Sequence, residues 1–129
     1  MQQKSVFIVE DNMEVSRMYE RAFRLHGYEV ELAHDGATAL TVLTKGSHVP
    51  SAVLLDIVMP HMNGLDLLLN LRGDVRFKDT PIVVLTNSFH REDSEQFLSS
   101  GATLYLVKIE NQSKQIVEKV EELIQKDTH

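Results

Sequence analysis

Five polar residues whose side chains could do chemistry stand at points where apolar runs end: Glu10, Asp11, Asp56, Thr86 and Lys108. A short, wholly apolar run that stops on a polar residue is typical of a buried strand in a parallel sheet. In open α/β sheets, ligands bind outside the carboxyl ends of the strands. We therefore expect these five side chains to converge on one edge of a sheet.

Carboxylates that are brought together repel one another unless a cation lies between them. A hard divalent cation with oxygen ligands, Mg²⁺ or Mn²⁺, is the expected partner, with Asp11 and Asp56 as direct ligands and a backbone carbonyl beyond Asp56 as a third. Lys108 supplies a mobile positive charge and Thr86 a hydroxyl donor. These groups describe a pocket for a phosphoryl group and favour its transfer onto the carboxylate of Asp56.

Strands and helices alternate along the whole sequence. The expected strands are Ser5–Val9, Tyr28–Ala33, Ala52–Asp56, Pro81–Thr86 and Thr103–Val107. After the first strand, apolar residues at helical spacing predict one buried stripe of Val15, Met18, Tyr19, Ala22 and Phe23. This alternation, with its short connections, predicts an α/β fold with a doubly wound parallel sheet.

The sequence also carries signals for the helix ends and for the buried faces of the helices. Asn12 or Asp11 is the expected N-cap of the first helix, and residues 90–100 read as a weaker fourth helix. The leucines of the third helix are expected in the core: Leu65, Leu68, Leu69 and Leu71. The last helix carries an apolar stripe formed by Ile116, Val117, Val120, Leu123 and Ile124.

Composition limits the classes of function. Residues 1–129 are expected to form a single domain, and the net charge of −6 argues against nucleic acid as a direct partner. The chain has no cysteine, so disulfide and thiolate chemistry is excluded. No apolar run reaches the roughly 20 residues of a membrane span, and the polar start lacks a signal-peptide core, so a cytoplasmic location is the default expectation.

Each candidate residue also has a plainer interpretation. Glu10 and Asp11 could merely cap the first helix, and Tyr105 could serve only in packing. Arg17, Arg21 and Arg24 lie on one side of the first helix. They could receive an acidic partner, but a solvated face supported by pairing with glutamates is favoured. The six histidines show no metal-ligand spacing, and His61 is interpreted as a surface residue.

The residues in this order resemble the signature of bacterial response-regulator receiver domains, the chemotaxis-regulator-like family. The residues that carry the resemblance are Glu10-Asp11, Asp56 followed by Met59-Pro60-His61-Met62-Asn63-Gly64, Thr86, and Tyr105 with Lys108. The match extends over essentially the entire chain. It implies a flavodoxin-like (βα)5 fold with strand order 2-1-3-4-5.

The resemblance also implies a mechanism for the site. Asp56 would accept a phosphoryl group from a histidine kinase or a histidine phosphotransfer protein. The Mg²⁺ or Mn²⁺ ion would lie on Asp11 and Asp56, with Glu10 contributing largely through water and the carbonyl of Val58 as a further ligand. The protein would then be a switch in a two-component phosphorelay rather than an enzyme, with at most self-phosphorylation and self-dephosphorylation chemistry.

In the family, the threonine moves toward the phosphoryl group and the aromatic residue swings inward behind it, so Thr86 and Tyr105 are the expected switch residues. A downstream protein would read the altered surface of the fourth helix, fifth strand and fifth helix. The protein is expected to be a monomer or a weak, phosphorylation-dependent dimer, without membrane insertion.

Some positions depart from the family pattern. Ile109 stands where the family often has a proline after the lysine, so the following loop is expected to take a different course. Asn87 stands where a small residue is usual, and it could crowd the entrance to Asp56 or offer an extra hydrogen bond. Val58 and Ser88 are neither acidic nor amide residues, which predicts a long-lived phosphorylated form.

Two other functions compete with the switch. One is a receiver-like interaction module that binds its partner without phosphorylation, which Asn87 and Ile109 keep open. The other is an enzyme of the same architecture. It is disfavoured because the sequence lacks the paired Asp-x-Asp of aspartyl phosphatases and the glycine-rich loops of nucleotide-binding proteins.

Overall fold

The computed structural model describes residues 4–57 and 61–126, in which strands and helices alternate. The strands are β1 (Ser5–Val9), β2 (Glu29–Ala33), β3 (Ala52–Asp56), β4 (Ile82–Thr86) and β5 (Leu104–Val107). The helices are α1 (Met13–Leu25), α2 (Gly36–Lys45), α3 (Gly64–Arg72), α4 (Arg91–Ser99) and α5 (Ser113–Lys126). Short 3₁₀ turns occupy Val75–Phe77 and Lys108–Glu110. No helix among the described residues is long and apolar enough to span a bilayer.

The strands form one parallel sheet in the order β2-β1-β3-β4-β5. The predicted fold class and strand order are therefore confirmed. β1 and β3 are central neighbours, and their register pairs Val9 with Leu55. All five positions of β1 and of β3 are buried, as expected for strands that are covered on both faces.

The sheet separates two apolar cores. Successive side chains of a strand point to opposite faces, so Val6 and Ile8 of β1 join one core while Phe7 and Val9 join the other. The first core also takes apolar residues from α1 and α5, such as Phe23 and Ile116. The second takes its helical residues from α2, α3 and α4.

Helix ends follow the sequence signals. The side chains of Asn12, Asp35 and Asn63 each accept a hydrogen bond from a backbone N–H in the first turn of the helix that follows. Asn12, and not Asp11, therefore caps α1. Gly27 and Gly101 follow α1 and α4 with φ of 89° and 114°, the left-handed region that favours glycine at helix ends.

Two residues predicted to be in the core are exposed. Met18 is 46% exposed, because the buried face of α1 centres on Ser16, Tyr19 and Phe23. Leu69 is 49% exposed, and Leu67 is buried in α3 instead. In both helices the apolar residues extend beyond the stripe that neighbouring elements cover, so hydrophobic spacing alone overestimated the buried width.

Candidate functional site

The acidic residues meet at the carboxyl edge of the two central strands. Glu10 and Asp11 follow β1 directly, and Asp56 is the last residue of β3. Because the register aligns these strand ends, one carboxylate oxygen from each of the three residues lies within 4.8 Å of the others. Glu10 is 2% and Asp56 7% exposed, whereas Asp11 faces solvent. The predicted convergence of Glu10, Asp11 and Asp56 is present.

Lys108 brings a cation to the same place. It follows β5 and opens a 3₁₀ turn, and its Nζ lies 2.6 Å from Glu10 Oε1 and 3.4 Å from Asp56 Oδ2. The shorter distance is a charge-assisted hydrogen bond, while the longer one is an ion pair without tight hydrogen bonding. The ammonium group therefore neutralises much of the repulsion between two buried carboxylates.

Burial and charge shift the pKa values of two groups at this edge. Burial raises the pKa of Glu10, while hydrogen bonds from Lys108 and from the backbone N–H of Asn12 act in the opposite direction. The pKa of Tyr19, which is buried in α1, is raised to about 12 by burial and by the negative charges of Glu10 and Asp56. The site is therefore a region of concentrated negative charge that is only partly compensated by Lys108.

The donor set fits a hard divalent cation. Carboxylate oxygens are the ligands that Mg²⁺ prefers, and oxygens bound to one such ion lie up to about 4 Å apart. The oxygens of Glu10, Asp11 and Asp56 already approach that spacing. The predicted carbonyl ligand, Val58, lies outside the described residues, as do Met59 and Pro60 of the loop. The loop closes where the N–H of Gly64 donates to the carbonyl of Ile57 at 2.8 Å.

Thr86 ends β4, next to β3, at the same edge of the sheet. The register pairs Asp56 with Leu85, which places Thr86 one residue beyond the partner of Asp56. Its hydroxyl donates to the carbonyl of Ser88 at 2.9 Å, and the backbone N–H of Ser88 donates to the hydroxyl oxygen of Thr86 at 3.3 Å. Thr86 is therefore engaged within its own loop in this structure.

Tyr105 is the second residue of β5 and does not lie at the carboxyl end of that strand. It pairs with Val84, and its ring packs against the rings of Phe89 and Phe97 at centroid distances of 6.0 and 6.1 Å. Its hydroxyl oxygen is buried and has no hydrogen-bond partner among the residues that the structure describes. The sequence did not single out Phe89, which is 57% exposed and partly covers Tyr105.

His34 is the neighbour of the site that sequence reasoning missed. It follows β2, and its Nδ1 lies 3.0 Å from the backbone carbonyl oxygen of Glu10. The available signal was its place directly after a strand, which is the same signal that located Glu10 and Asp56. The histidines were weighed only as metal ligands, so a hydrogen bond to the main chain was not considered.

The remaining sequence predictions have simple outcomes. His61 is exposed, as expected. On α1, Arg24 pairs with Glu20 at 3.1 Å, in agreement with a solvated and internally paired face. After β5, Ile109 is 87% exposed within the 3₁₀ turn. Asn87 is exposed at the start of the loop that follows Thr86.

Comparison with known proteins gives consistent results. The family model described as the response regulator receiver domain matches residues 6–121. The response regulator MprA of Mycobacterium tuberculosis is 38% identical over 103 residues, which is 80% of this chain and 43% of MprA. This chain therefore spans less than half the length of that relative.

Two solved structures share the architecture. The phosphorylated cyanobacterial phytochrome response regulator RcpA has 28% sequence identity and a TM-score of 0.86, with 96% of this chain and 95% of that chain covered. The Mn²⁺-bound response regulator Rcp1 has 26% identity and a TM-score of 0.79, with 93% and 91% covered. The fold, the acidic edge and the family match agree, and this chain belongs to the response regulator receiver domain family.

Proposed function

We propose that this domain is a phosphorylation switch in which Asp56 accepts the phosphoryl group. The observation that carries the proposal is the position of Lys108 Nζ between the carboxylates of Glu10 and Asp56, at 2.6 and 3.4 Å, beside the exposed carboxylate of Asp11. This arrangement offers a nucleophile, a cation for phosphoryl oxygens and ligands for a divalent ion on one sheet edge. The phosphorylated state of the similar RcpA supports the same chemistry.

The phosphoryl donor would be a phosphohistidine of a histidine kinase or of a histidine phosphotransfer protein. An oxygen of Asp56 attacks phosphorus, the P–N bond breaks, and the imidazole nitrogen keeps the electron pair and takes up a proton. The product is an acyl phosphate on Asp56. Lys108 turns from Glu10 toward the phosphoryl oxygens, since it already lies 3.4 Å from Asp56 Oδ2.

Asp11 and Asp56 would hold Mg²⁺ or Mn²⁺ directly, with Glu10 largely through water and the Val58 carbonyl as a further ligand. The bound ion would neutralise negative charge on the incoming group. The Mn²⁺ in the similar Rcp1 supports this assignment. The rest of the ligand sphere would be water, as is usual for Mg²⁺.

The output would be a change of surface rather than a reaction product. Thr86 would exchange its bond to the Ser88 carbonyl for one to the phosphoryl oxygen, and Tyr105 would move inward behind it. A downstream protein would read the altered surface near α4 and β5. The phosphoryl group acts only through contacts that differ between the two states.

The same chemistry limits what the domain does alone. It would phosphorylate itself from small donors and lose the group by hydrolysis, without turning over other substrates. Because Val58 and Ser88 lack acidic or amide groups to orient an attacking water, the phosphorylated form would be long-lived. We place the protein in the cytoplasm, as a monomer or a weak phosphorylation-dependent dimer, with no direct binding to nucleic acid.

The decisive experiment is incubation with Mg²⁺ and acetyl phosphate or phosphoramidate, followed by intact-protein mass measurement. The wild type should gain the mass of one phosphoryl group, and Asp56→Asn should gain none. Asp79→Asn removes an exposed carboxylate that precedes the amino end of β4, away from the carboxyl ends of the strands, and should behave as the wild type. Absence of any gain in the wild type, or an equal gain in Asp56→Asn, would contradict the proposal and favour a module that binds without phosphorylation.

A further inference from the structure

The main chain between β1 and α1 is held by the side chain of His34, which directly follows the neighbouring strand β2. The backbone N–H of Glu10 donates to the carbonyl of Ala33 at 3.0 Å, which continues the pairing of β1 with β2. The carbonyl of Glu10 is then met by the Nδ1 of His34, also at 3.0 Å. A carbonyl oxygen can only accept, so the ring nitrogen carries the hydrogen.

This bond stands where the strand ladder would otherwise continue. If the parallel pairing continued, the carbonyl of Glu10 would accept its hydrogen bond from the backbone N–H of Asp35. At that residue the chain turns to begin α2, and the side chain of Asp35 caps that helix at the N–H of Thr38. The ring of His34, which is half-buried, supplies the donor instead. Both peptide groups that flank Glu10 are thereby fixed, the first by Ala33 at the end of β2 and the second by His34.

The acidic residues differ in how much they need this support. The carboxylate of Glu10 has partners of its own, the Nζ of Lys108 at 2.6 Å and the N–H of Asn12 at 3.1 Å. The side chain of Asp11 is exposed, and no hydrogen bond to its carboxylate is found among the described residues. The direction of the Asp11 carboxylate is therefore set mainly by the main chain from which it projects.

We propose that His34 is a positioning residue for the divalent-cation site, acting through the Glu10 carbonyl to aim Asp11 at the cation beside Asp56. The inference rests on the proposed function, since it assigns a role toward the cation of that site. His34 donates through Nδ1 to the main chain and does not touch the cation. Groups that orient ligands from outside the coordination sphere commonly change metal affinity by about 10- to 100-fold when they are removed.

The test is Mn²⁺ binding by the unphosphorylated protein, with free Mn²⁺ measured by electron paramagnetic resonance. His34→Asn places an amide N–H near the position of Nδ1, His34→Gln places it near Nε2, and His34→Leu removes the donor. We expect His34→Leu and His34→Gln to bind Mn²⁺ about tenfold more weakly, and His34→Asn to bind close to the wild type. His48→Asn, which changes a histidine bonded to Ser5 far from the site, is the matched control.

Thermal unfolding of each variant separates positioning from general damage. If His34→Leu unfolds at lower temperature while its Mn²⁺ affinity equals that of the wild type, His34 is only a structural residue and the inference is overturned. Equal weakening by His34→Asn and His34→Leu would also overturn it, because the Nδ1 donor would not matter. If the wild type itself binds no Mn²⁺, the proposed cation site fails, and the inference fails with it.

Discussion

Two parts of the candidate site differ in how many hydrogen bonds hold their side chains. The acid side comprises Glu10, Asp11, Asp56 and Lys108, and the hydroxyl side comprises Thr86 and Tyr105. On the acid side, Glu10 has both carboxylate oxygens and both backbone polar atoms in hydrogen bonds, to Lys108, Asn12, Ala33 and His34. On the hydroxyl side, and within the residues that the structure describes, the side chain of Thr86 bonds only to Ser88 in its own loop, and the buried hydroxyl of Tyr105 has no partner.

This difference separates side chains that are held by several hydrogen bonds from side chains that few hydrogen bonds hold. Groups that are already held close to the reacting carboxylate need little reorganisation during the reaction, and this is how the acid side would favour phosphoryl transfer. Lys108 has only to turn from Glu10 toward the phosphoryl oxygens. The hydroxyl side instead holds groups whose bonds can be exchanged at small cost. A switch requires two states of similar free energy, and unsatisfied or easily exchanged hydrogen bonds provide them.

The largest expected effect comes from removing the cation of the acid side. Lys108→Met should slow phosphorylation by acetyl phosphate by about 100-fold, because the cation held 3.4 Å from Asp56 Oδ2, within reach of the phosphoryl oxygens, is lost. Lys114→Met, on the exposed face of α5, should leave the rate unchanged. Time-resolved intact mass provides the rates. A Lys108→Met rate near that of the wild type would show that the ammonium group does not act on the reaction.

A smaller effect is expected where the start of α2 approaches the loop that follows β3. A Cβ on Gly36 would lie 2.9 Å from the Cβ of Met62 and close to the Met62 backbone, so Gly36→Ala must displace that loop. Such overpacking costs about 1–3 kcal/mol in the free energy of unfolding. Gly73→Ala is the control, because its nearest neighbours would be 3.5 Å away. Denaturant unfolding of both variants checks this, and equal stability would contradict the close approach.

Two tyrosines allow a sharper test of the hydroxyl side. Tyr105→Phe removes a buried hydroxyl for which the described part of the chain offers no partner, and should stabilise the unphosphorylated domain by about 1 kcal/mol. Tyr28→Phe removes a hydroxyl that donates to Glu121, and should destabilise it by about the same amount. Denaturant unfolding measures both changes. A loss of stability in Tyr105→Phe would mean that its hydroxyl is satisfied and would weaken the contrast between the two sides.

The smallest effect concerns the charge of Glu10, because Lys108 offsets part of the effect of burial. Since the pKa of Glu10 is raised in the folded state, its contribution to stability is full below pH 4.5 and is lost as the pH rises through the folded pKa. Without divalent cations, Glu10→Gln should therefore gain stability relative to the wild type between acidic and neutral pH. Glu118→Gln, on α5, controls for net charge. A pH-independent difference in unfolding free energy would contradict the raised pKa.

The residues at the carboxyl edge of the sheet were predictable, because the position at which each strand ends determines them. A strand that ends on a polar residue places that residue at the carboxyl edge, and this sufficed for Glu10, Asp56 and Thr86. The bond of His34 was not predictable, since it depends on the β1–β2 register and on one rotamer. Nor was the exposure of Met18, because the width of a helix's buried stripe is decided by neighbouring elements that lie far away in sequence.

Two adjacent residues of β5 pack in different apolar cores, one on each face of the sheet. Tyr105 packs with the core that includes Phe97 of α4, whereas Leu106 faces the core that includes Ile116 of α5. A rotation of the tyrosine ring would therefore reach α4 by side-chain packing. A shift of Lys108 would reach α5 along the main chain, through the turn that joins β5 to that helix. The two helices would thus receive separate signals, one from the aromatic ring and one from the lysine.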